Sequence, residues 1–219
     1  MKQNKAYTIG ITGGVGSGKS LALEYLKDKY NCYIIKADDI GNEVKFKGNV
    51  CYEPIVKLLG EDILGEDGEI IKNKMAEKIF SDKDLIEKVN GIIHPAVREE
   101  IVKRIKDNSN EYKIFVIEAA LLVEANYFDD LNELWEVFAE KDIRIERLMK
   151  QRNYSLDKCE NIIGSQHDTL YYVVADEEYQ KSSNRDDYYG FKMIFNNSSE
   201  EELFMQIDIA MEEINERIG

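Results

Sequence analysis

The feature that most constrains the fold is a glycine-rich segment close to the start of the chain, Gly13-Gly-Val-Gly-Ser-Gly-Lys-Ser20. It matches the phosphate-binding loop pattern G-x-x-x-x-G-K-[ST] in full. The apolar residues from Tyr7 to Ile11 before it predict a buried strand, and the residues from Leu21 onward predict a helix. In this strand–loop–helix order, backbone N–H groups and the helix N-terminus create a positive site for phosphate. The segment therefore predicts binding of a nucleoside triphosphate.

The residues of this loop have expected roles in binding ATP and Mg²⁺. Lys19 is expected to reach the terminal phosphates, and the Ser20 hydroxyl is expected to hold the metal ion. The alternative is a glycine-rich turn with an incidental lysine. The position directly after a predicted strand favours the phosphate-binding loop over this alternative. The predicted nucleotide-binding residues of the loop are Gly13, Gly14, Val15, Gly16, Ser17, Gly18, Lys19 and Ser20.

Composition and charge narrow the class of protein further. The 219 residues are 43% hydrophobic and 33% charged, which suits a globular chain with one good core. No apolar run is long enough to span a membrane and no signal-peptide core precedes the first strand, so we expect a cytoplasmic protein whose three cysteines are reduced. A formal net charge of −14 argues against binding nucleic acid or an anionic membrane, but not against binding ATP. We expect small-molecule partners and a monomer or weak homo-oligomer.

Hydrophobic patterning predicts strands that alternate with helices, which is typical of a parallel sheet covered on both faces. The predicted strands are 5–12, 32–35, 113–117, 134–139 and 191–195. The predicted helices are 18–30, 40–47, 142–152, 155–175 and a final helix capped by Ser198 or Ser199, with a mostly helical stretch over 52–108. Because ligands bind at the carboxyl ends of parallel strands, the loop, Asp38 and Glu118, which each follow a predicted strand, are expected to share one crevice.

Several short segments further along the chain occur in an order that a known family shares. They are Ala37-Asp38, Ile93-His94-Pro95, Glu118-Ala-Ala-Leu-Leu-Val-Glu124, Arg147-Leu-Met, Ile162-Ile-Gly-Ser-Gln166, Ala175-Asp176 and Asn196-Asn197. Together with the phosphate loop, this order resembles the dephospho-CoA kinase family. The resemblance implies ATP-dependent phosphorylation of the ribose 3′-hydroxyl of dephospho-CoA, the last step of coenzyme A synthesis.

The same resemblance implies an α/β fold and its division into parts. The fold would be a three-layer parallel-sheet P-loop kinase core with an inserted helical substrate-binding subdomain and a helical lid. On this sequence the core would take about 1–40, 112–140 and 176–219. The substrate subdomain would take about 41–111 and the lid about 141–175, all within one kinase domain.

The resemblance also assigns roles to charged residues. Asp38 is expected to accept the proton from the acceptor hydroxyl or to orient it, and the alternative is an N-cap for the helix after the second strand. Glu118 is expected to hold Mg²⁺, or otherwise to pair with Lys19 or cap a turn. Together with Lys19, Arg147 and Arg152 are expected to stabilise charge on the transferring phosphate. The alternative for the arginines is a solvated helix face with i,i+4 pairs.

Four further residues are expected to contact the substrates. His94 is the candidate for the CoA-side pocket, Leu121 is a further candidate for substrate binding, and Gln166 and Asn196 are the candidates for contact with the nucleotide. The alternative for His94 is that it ends a helix and satisfies a carbonyl group. Gln166 and Asn196 could equally be structural.

The chain departs from the family pattern at a few positions. Lys36, Ala120 and Gln151 stand where the family carries an aspartate, a proline and a lid arginine. Arg152 is displaced by one residue, which on a helix is a rotation of about 100°. An apparent insertion at 177–190 could cover the adenine site, form an interface or be a mobile loop. A related kinase for another nucleotide or nucleoside, and an ATP-binding regulatory protein with weakened catalysis, stay open as alternatives.

Overall fold

The structure, a computed structural model, describes residues 6–80, 82–119, 122, 127–183 and 185–219. The chain divides into two compact units, one formed by residues up to Ile35 together with Asn108–Gly219, and the other by Lys36–Asp107. Among the described residues, no helix is both long enough and apolar enough to cross a membrane.

Five strands form one sheet within the described part of the chain. They are β1 (Tyr7–Thr12), β2 (Tyr33–Lys36), β3 (Ile114–Glu118), β4 (Glu133–Phe138) and β5 (Phe191–Phe195). Their order in the sheet is β2-β3-β1-β4-β5. Strand β1 pairs in parallel with both β3 and β4, and β4 pairs in parallel with β5. The predicted parallel α/β sheet is thus confirmed, and its strands lie within two residues of the predicted bounds.

The helices take their place between and around these strands. In chain order they are α1 (Lys19–Tyr30), α2 (Ala37–Glu43), α3 (Tyr52–Leu59), α4 (Lys72–Ile79), α5 (Lys83–Asn108), α6 (Lys141–Arg152), α7 (Leu156–Gly164), α8 (Thr169–Ser182) and α9 (Glu200–Ile218), with short 3₁₀ helices at Glu61–Ile63 and Tyr127–Asp130. Helices α2 to α5 make up the second unit apart from the end of α5.

The central strands are buried because their apolar side chains pack against helices. Ile9 and Ile11 of β1 and Val137 of β4 belong to one cluster with residues of α1 and α9. Helix α8 contacts β4 and β5. Each fully buried aliphatic side chain contributes roughly 1.5–3 kcal/mol to the stability of the fold. Because these side chains hold the strands in place, the core also fixes where the carboxyl ends of the strands lie.

Helix ends follow the local capping residues. Ser199 caps α9 by accepting a hydrogen bond from the Glu202 backbone N–H at 3.4 Å, and the predicted choice between Ser198 and Ser199 is therefore resolved. The single helix predicted over 155–175 is wrong: α7 ends at Gly164 and α8 starts at Thr169. The Asp168 side chain caps α8 by accepting from the Tyr171 N–H at 3.1 Å, and this cap begins a new helix inside an apolar pattern that looks continuous.

The last residues of the apparent insertion at 177–190 lie at the amino end of β4. Its first part continues α8 to Ser182. The Tyr188 hydroxyl then donates to the buried Asp176 carboxylate at 2.5 Å. Beyond it, the backbone N–H of Tyr189 donates to the Asn132 carbonyl at 2.7 Å, just before β4. Because the phosphate loop leaves the opposite, carboxyl end of β1, this contact pattern does not place the segment over the loop.

An ion pair with one buried partner lies at the same amino edge of the sheet. The Glu133 side chain, the first residue of β4, is 2% exposed and pairs with the Arg217 guanidinium. The same carboxylate accepts hydrogen bonds from the Tyr7 hydroxyl at 3.0 Å and from Trp135 Nε1 at 2.6 Å. Burial, together with the neighbouring Glu133 carboxylate, raises the pKa of Tyr7 well above its usual value. This cluster joins β1, β4 and α9 through one buried negative charge.

Candidate active site

The glycine-rich loop connects the carboxyl end of β1 to the first turn of α1. It needs glycine because Gly18 has φ 94° and a Cβ added there would lie 2.0 Å from Asn196 Nδ2. A Cβ on Gly14 would lie 2.3 Å from Nη2 of Arg144. The positive φ of Gly18 and the close approach of side chains to both positions explain why the loop carries glycine there.

A cavity of about 640 Å³ opens beside this loop. Most of the predicted nucleotide-binding residues line it, together with Glu118 and Asn196. Ser17 is the exception among the loop residues, because it is buried below the surface. The other side chains that bring charge or polar groups to the cavity come from α1, α6 and the start of α9, and they are Glu24, Arg147, Gln151, Arg152, Ser198, Ser199 and Glu200.

Lys19 and Glu118 form an ion pair across the cavity. The Lys19 Nζ lies 3.1 Å from Oε1 of Glu118, and the two side chains are 18% and 19% exposed. The pair forms because β3 ends beside β1, in register with Ile11 opposite Glu118. The pairing named above as an alternative for Glu118 is therefore present, and it keeps a cation and a carboxylate at the phosphate loop.

The two arginines predicted on α6 both line the cavity, with different contacts. Arg147 is half-buried and donates to the Asn196 carbonyl at 3.0 Å and, at 3.4 Å, to the Gly16 and Ser17 carbonyls of the loop. The solvated-face alternative for Arg147 is therefore wrong. Arg152 is exposed, and both it and Gln151 border the cavity because α6 ends there, with Asn153 in the left-handed conformation.

Asn196 and Gln166 both hydrogen-bond the loop. The buried Asn196 donates from Nδ2 to the Ser17 carbonyl at 2.7 Å. Gln166, a candidate for contact with the nucleotide, accepts at Oε1 from the Val15 N–H at 3.1 Å and from Arg144. Arg144 was missed by the sequence reasoning, although its position one turn before Arg147 on α6 is a usable signal.

The remaining predicted residues are Asp38, His94 and Leu121. Asp38 is exposed in the first turn of α2, and the alternative of an N-cap is wrong because Lys36 holds the cap position, with no side-chain cap bond. His94 lies inside α5, which continues through Pro95, so the helix-end alternative is wrong too. Both residues belong to the second unit. Leu121 lies outside the described residues.

The donor groups at the loop fit a magnesium ion. The Ser20 hydroxyl and the Glu118 carboxylate both border the cavity and are the hard oxygen ligands that Mg²⁺ prefers. Mg²⁺ is usually held by one or two protein oxygens with phosphate and water completing the shell. No group of three or more histidine, cysteine or acidic residues suited to a metal occurs among the described residues, and such a group is not needed for this mode of binding.

The phosphate loop on a parallel sheet, with a lysine, an acidic residue at the end of β3 and arginines on α6 at one cavity, defines a P-loop kinase. The family model described as dephospho-CoA kinase matches residues 7–177. The chain therefore belongs to the dephospho-CoA kinase family, whose members use ATP to phosphorylate dephospho-CoA in coenzyme A biosynthesis.

Relatives and solved structures agree with this assignment. The chain is 37% identical over 162 residues to a dephospho-CoA kinase of Moorella thermoacetica, covering 73% of this chain and 76% of that protein. It is 31% identical over 208 residues to the enzyme of Oceanobacillus iheyensis, covering 94% and 97%. Its fold is similar to that of TT1252 from Thermus thermophilus, with a TM-score of 0.71 at 22% identity and coverage of 95% and 97%. The dephospho-CoA kinase from Campylobacter jejuni gives 0.60 at 20% identity, with coverage of 94% and 96%.

Proposed function

We propose that this protein transfers the γ-phosphoryl group of ATP, bound with Mg²⁺, to the ribose 3′-hydroxyl of dephospho-CoA. The products would be coenzyme A and ADP. The observation that carries the proposal is the cavity at which the phosphate loop, Lys19, Glu118 and Arg147 meet, in a chain of this family.

On the donor side, the loop N–H groups and the start of α1 would hold the phosphates of ATP. Lys19 would turn from Glu118 toward the terminal phosphates, and Arg147 and Arg152 would neutralise charge on the transferring group. Phosphoryl transfer depends mainly on positioning and charge stabilisation, which cations and N–H groups supply. The 3.1 Å Lys19–Glu118 pair supports this role because it holds the lysine beside the loop before the nucleotide binds.

Ser20 and Glu118 would hold the Mg²⁺ ion. When bound, the ion supplies neutralisation of the phosphate charges. The Ser20 side chain is the direct candidate ligand, and the Glu118 carboxylate is the candidate for contact through water.

On the acceptor side, Asp38 would accept the proton of the 3′-hydroxyl or orient it. The helical subdomain predicted at 41–111 would bind dephospho-CoA, with His94 and Leu121 on that side, and the segment predicted at 141–175 would act as a lid. Exposure of Asp38 in the first turn of α2 supports this role because the carboxylate is open to a ligand. We further propose a cytoplasmic monomer or weak homo-oligomer that acts on small molecules and binds neither nucleic acid nor membrane.

The test is a coupled assay of the purified chain with ATP, Mg²⁺ and dephospho-CoA, with mass spectrometry to locate the new phosphate. Asp38→Asn is expected to lower kcat by about 10²–10⁴-fold with little change in KM for ATP, because it removes a general base and leaves the loop intact. Asp39→Asn is the matched control, since Asp39 is the exposed neighbour in the same helical turn.

Other outcomes distinguish the alternatives. Phosphorylation of another hydroxyl acceptor, with none of dephospho-CoA, would favour a related kinase. ATP binding without transfer to any acceptor in a panel of nucleotides and nucleosides would favour a regulatory protein.

A further inference from the structure

Arg144 links α6 to the tip of the phosphate loop. It is half-buried, and its Nε donates to the Val15 carbonyl at 2.9 Å. Its Nη2 donates to Gln166 Oε1, which also accepts from the Val15 N–H at 3.1 Å. Two side chains therefore occupy both backbone polar groups of Val15 in one closed ring of hydrogen bonds.

The contact is steric as well as polar. The Arg144 guanidinium fills the space that a Cβ on Gly14 would need, with Nη1, Cζ and Nη2 all between 2.3 and 2.8 Å from that position. A Cβ on Gly16 would lie 3.0 Å from the Arg144 backbone carbonyl. The first half of the loop thus lies against both the side chain and the backbone of this one residue.

The buried carboxylate of Glu136 interacts electrostatically with the arginine. Glu136 of β4 is 5% exposed, stands opposite Thr12 in the register, and accepts from the Thr169 hydroxyl at 3.2 Å. Its other oxygen, Oε2, is buried with no hydrogen-bond partner among the described residues. Burial raises the pKa of Glu136, and the charge of Arg144 opposes that rise. Arg144 thus bonds a carbonyl of the loop and is influenced by the charge of a carboxylate of the sheet.

We propose that Arg144, with Gln166, is a positioning residue that holds Gly14 and Val15 in the conformation that binds the β-phosphate of a nucleotide. The inference rests on the proposed function only in taking the loop as the nucleotide site. It assigns to Arg144 no contact with the transferring group, which distinguishes it from Arg147 and Arg152.

The test measures binding of ADP and of AMP by calorimetry, without any acceptor. Arg144→Ala is expected to weaken ADP binding about tenfold, the effect of one charged hydrogen bond, and to change AMP binding less than threefold. Lys150→Ala is the control, because Lys150 lies on the same helix and pairs only at the surface, with Glu146. It is expected to bind both nucleotides within twofold of the wild-type chain.

Gln166→Ala supplies a second arm that leaves the guanidinium in place. It is expected to weaken ADP binding in the same sense, and the double variant is expected to lose less than the product of the two single effects, because both side chains hold the same residue. Wild-type ADP affinity in both single variants, an equal loss of ADP and AMP, or multiplicative effects would overturn the inference. Failure of the proposed function is recorded separately, as absence of product from dephospho-CoA in a chain that still binds ADP.

Discussion

The ion pair between the buried Glu133 and the partly exposed Arg217 allows a quantitative test of what holds the amino edge of the sheet. Removal of one partner from a buried ion pair typically costs 3–5 kcal/mol, because an unpaired charge is left behind. Here the Arg217 side chain is 30% exposed, and Glu133 keeps hydrogen bonds from Tyr7 and Trp135. We therefore expect Arg217→Ala to lower the free energy of unfolding by about 2–3 kcal/mol, below the fully buried case.

The measurement is urea unfolding followed by the fluorescence of Trp135, the single tryptophan of the chain. For a chain of this size, the expected loss corresponds to a fall in Tm of about 4–12 °C. The double variant Glu133→Gln with Arg217→Ala is expected to recover part of the loss, since the amide carries no charge and still accepts from Trp135. Glu213→Gln is the surface control, because Glu213 lies 3.6 Å from Arg217 and its side chain is 47% exposed.

Two results would refute this reasoning. One is a loss below 1 kcal/mol in Arg217→Ala, which would mean that Glu133 is satisfied without its cation. The other is a double variant less stable than Arg217→Ala alone, which would mean that packing rather than charge is the origin of the effect.

Three further predictions concern the site, a buried acid and the thiols. Lys19→Met should lower kcat/KM about 10²–10³-fold in the coupled assay, and an unchanged rate would contradict a charge-stabilising role. Burial raises the pKa of Glu136 above its usual 4.5, so its contribution to the free energy of unfolding is present below that pH and is lost as pH rises. Glu136→Gln should therefore weaken the pH dependence of the free energy of unfolding, measured at a series of pH values. Burial raises the pKa of Cys32 to about 12, and Cys51 and Cys159 are also buried, so Ellman's reagent should label none in the native chain and all three in denaturant; rapid native labelling would contradict this.

Local patterns made the sheet and the loop predictable. The loop is a contiguous motif, and the apolar runs of β1, β3 and β4 are short and buried, so each carries its own signal. The helical nature of 177–182 was not visible because that part of α8 has no amphipathic period. A tertiary contact of that part is the hydrogen bond that the Tyr179 hydroxyl donates to the Asp129 carboxylate at 3.1 Å.

The site was predictable as a set of residues but not as a set of contacts. Lys19, Glu118, Arg147 and Asn196 do meet at one cavity, because each lies at the carboxyl end of a strand or on the helix facing it. The bond of Gln166 to Val15 joins residues 151 positions apart, and no local pattern encodes such a pairing. The roles proposed for Asp38 and His94 stay predictions.

The two arginines of α6 that bond the loop constrain the number of residues between β4 and α6. Arg144 and Arg147 are three residues apart and therefore lie on one face of the helix, and they bond different carbonyl groups of the loop. Insertion or deletion of one residue between β4 and Arg144 would rotate α6 by about 100° and carry both guanidinium groups away together. The connection at Ala139 and Glu140 should therefore accept substitutions far more readily than any change in its number of residues.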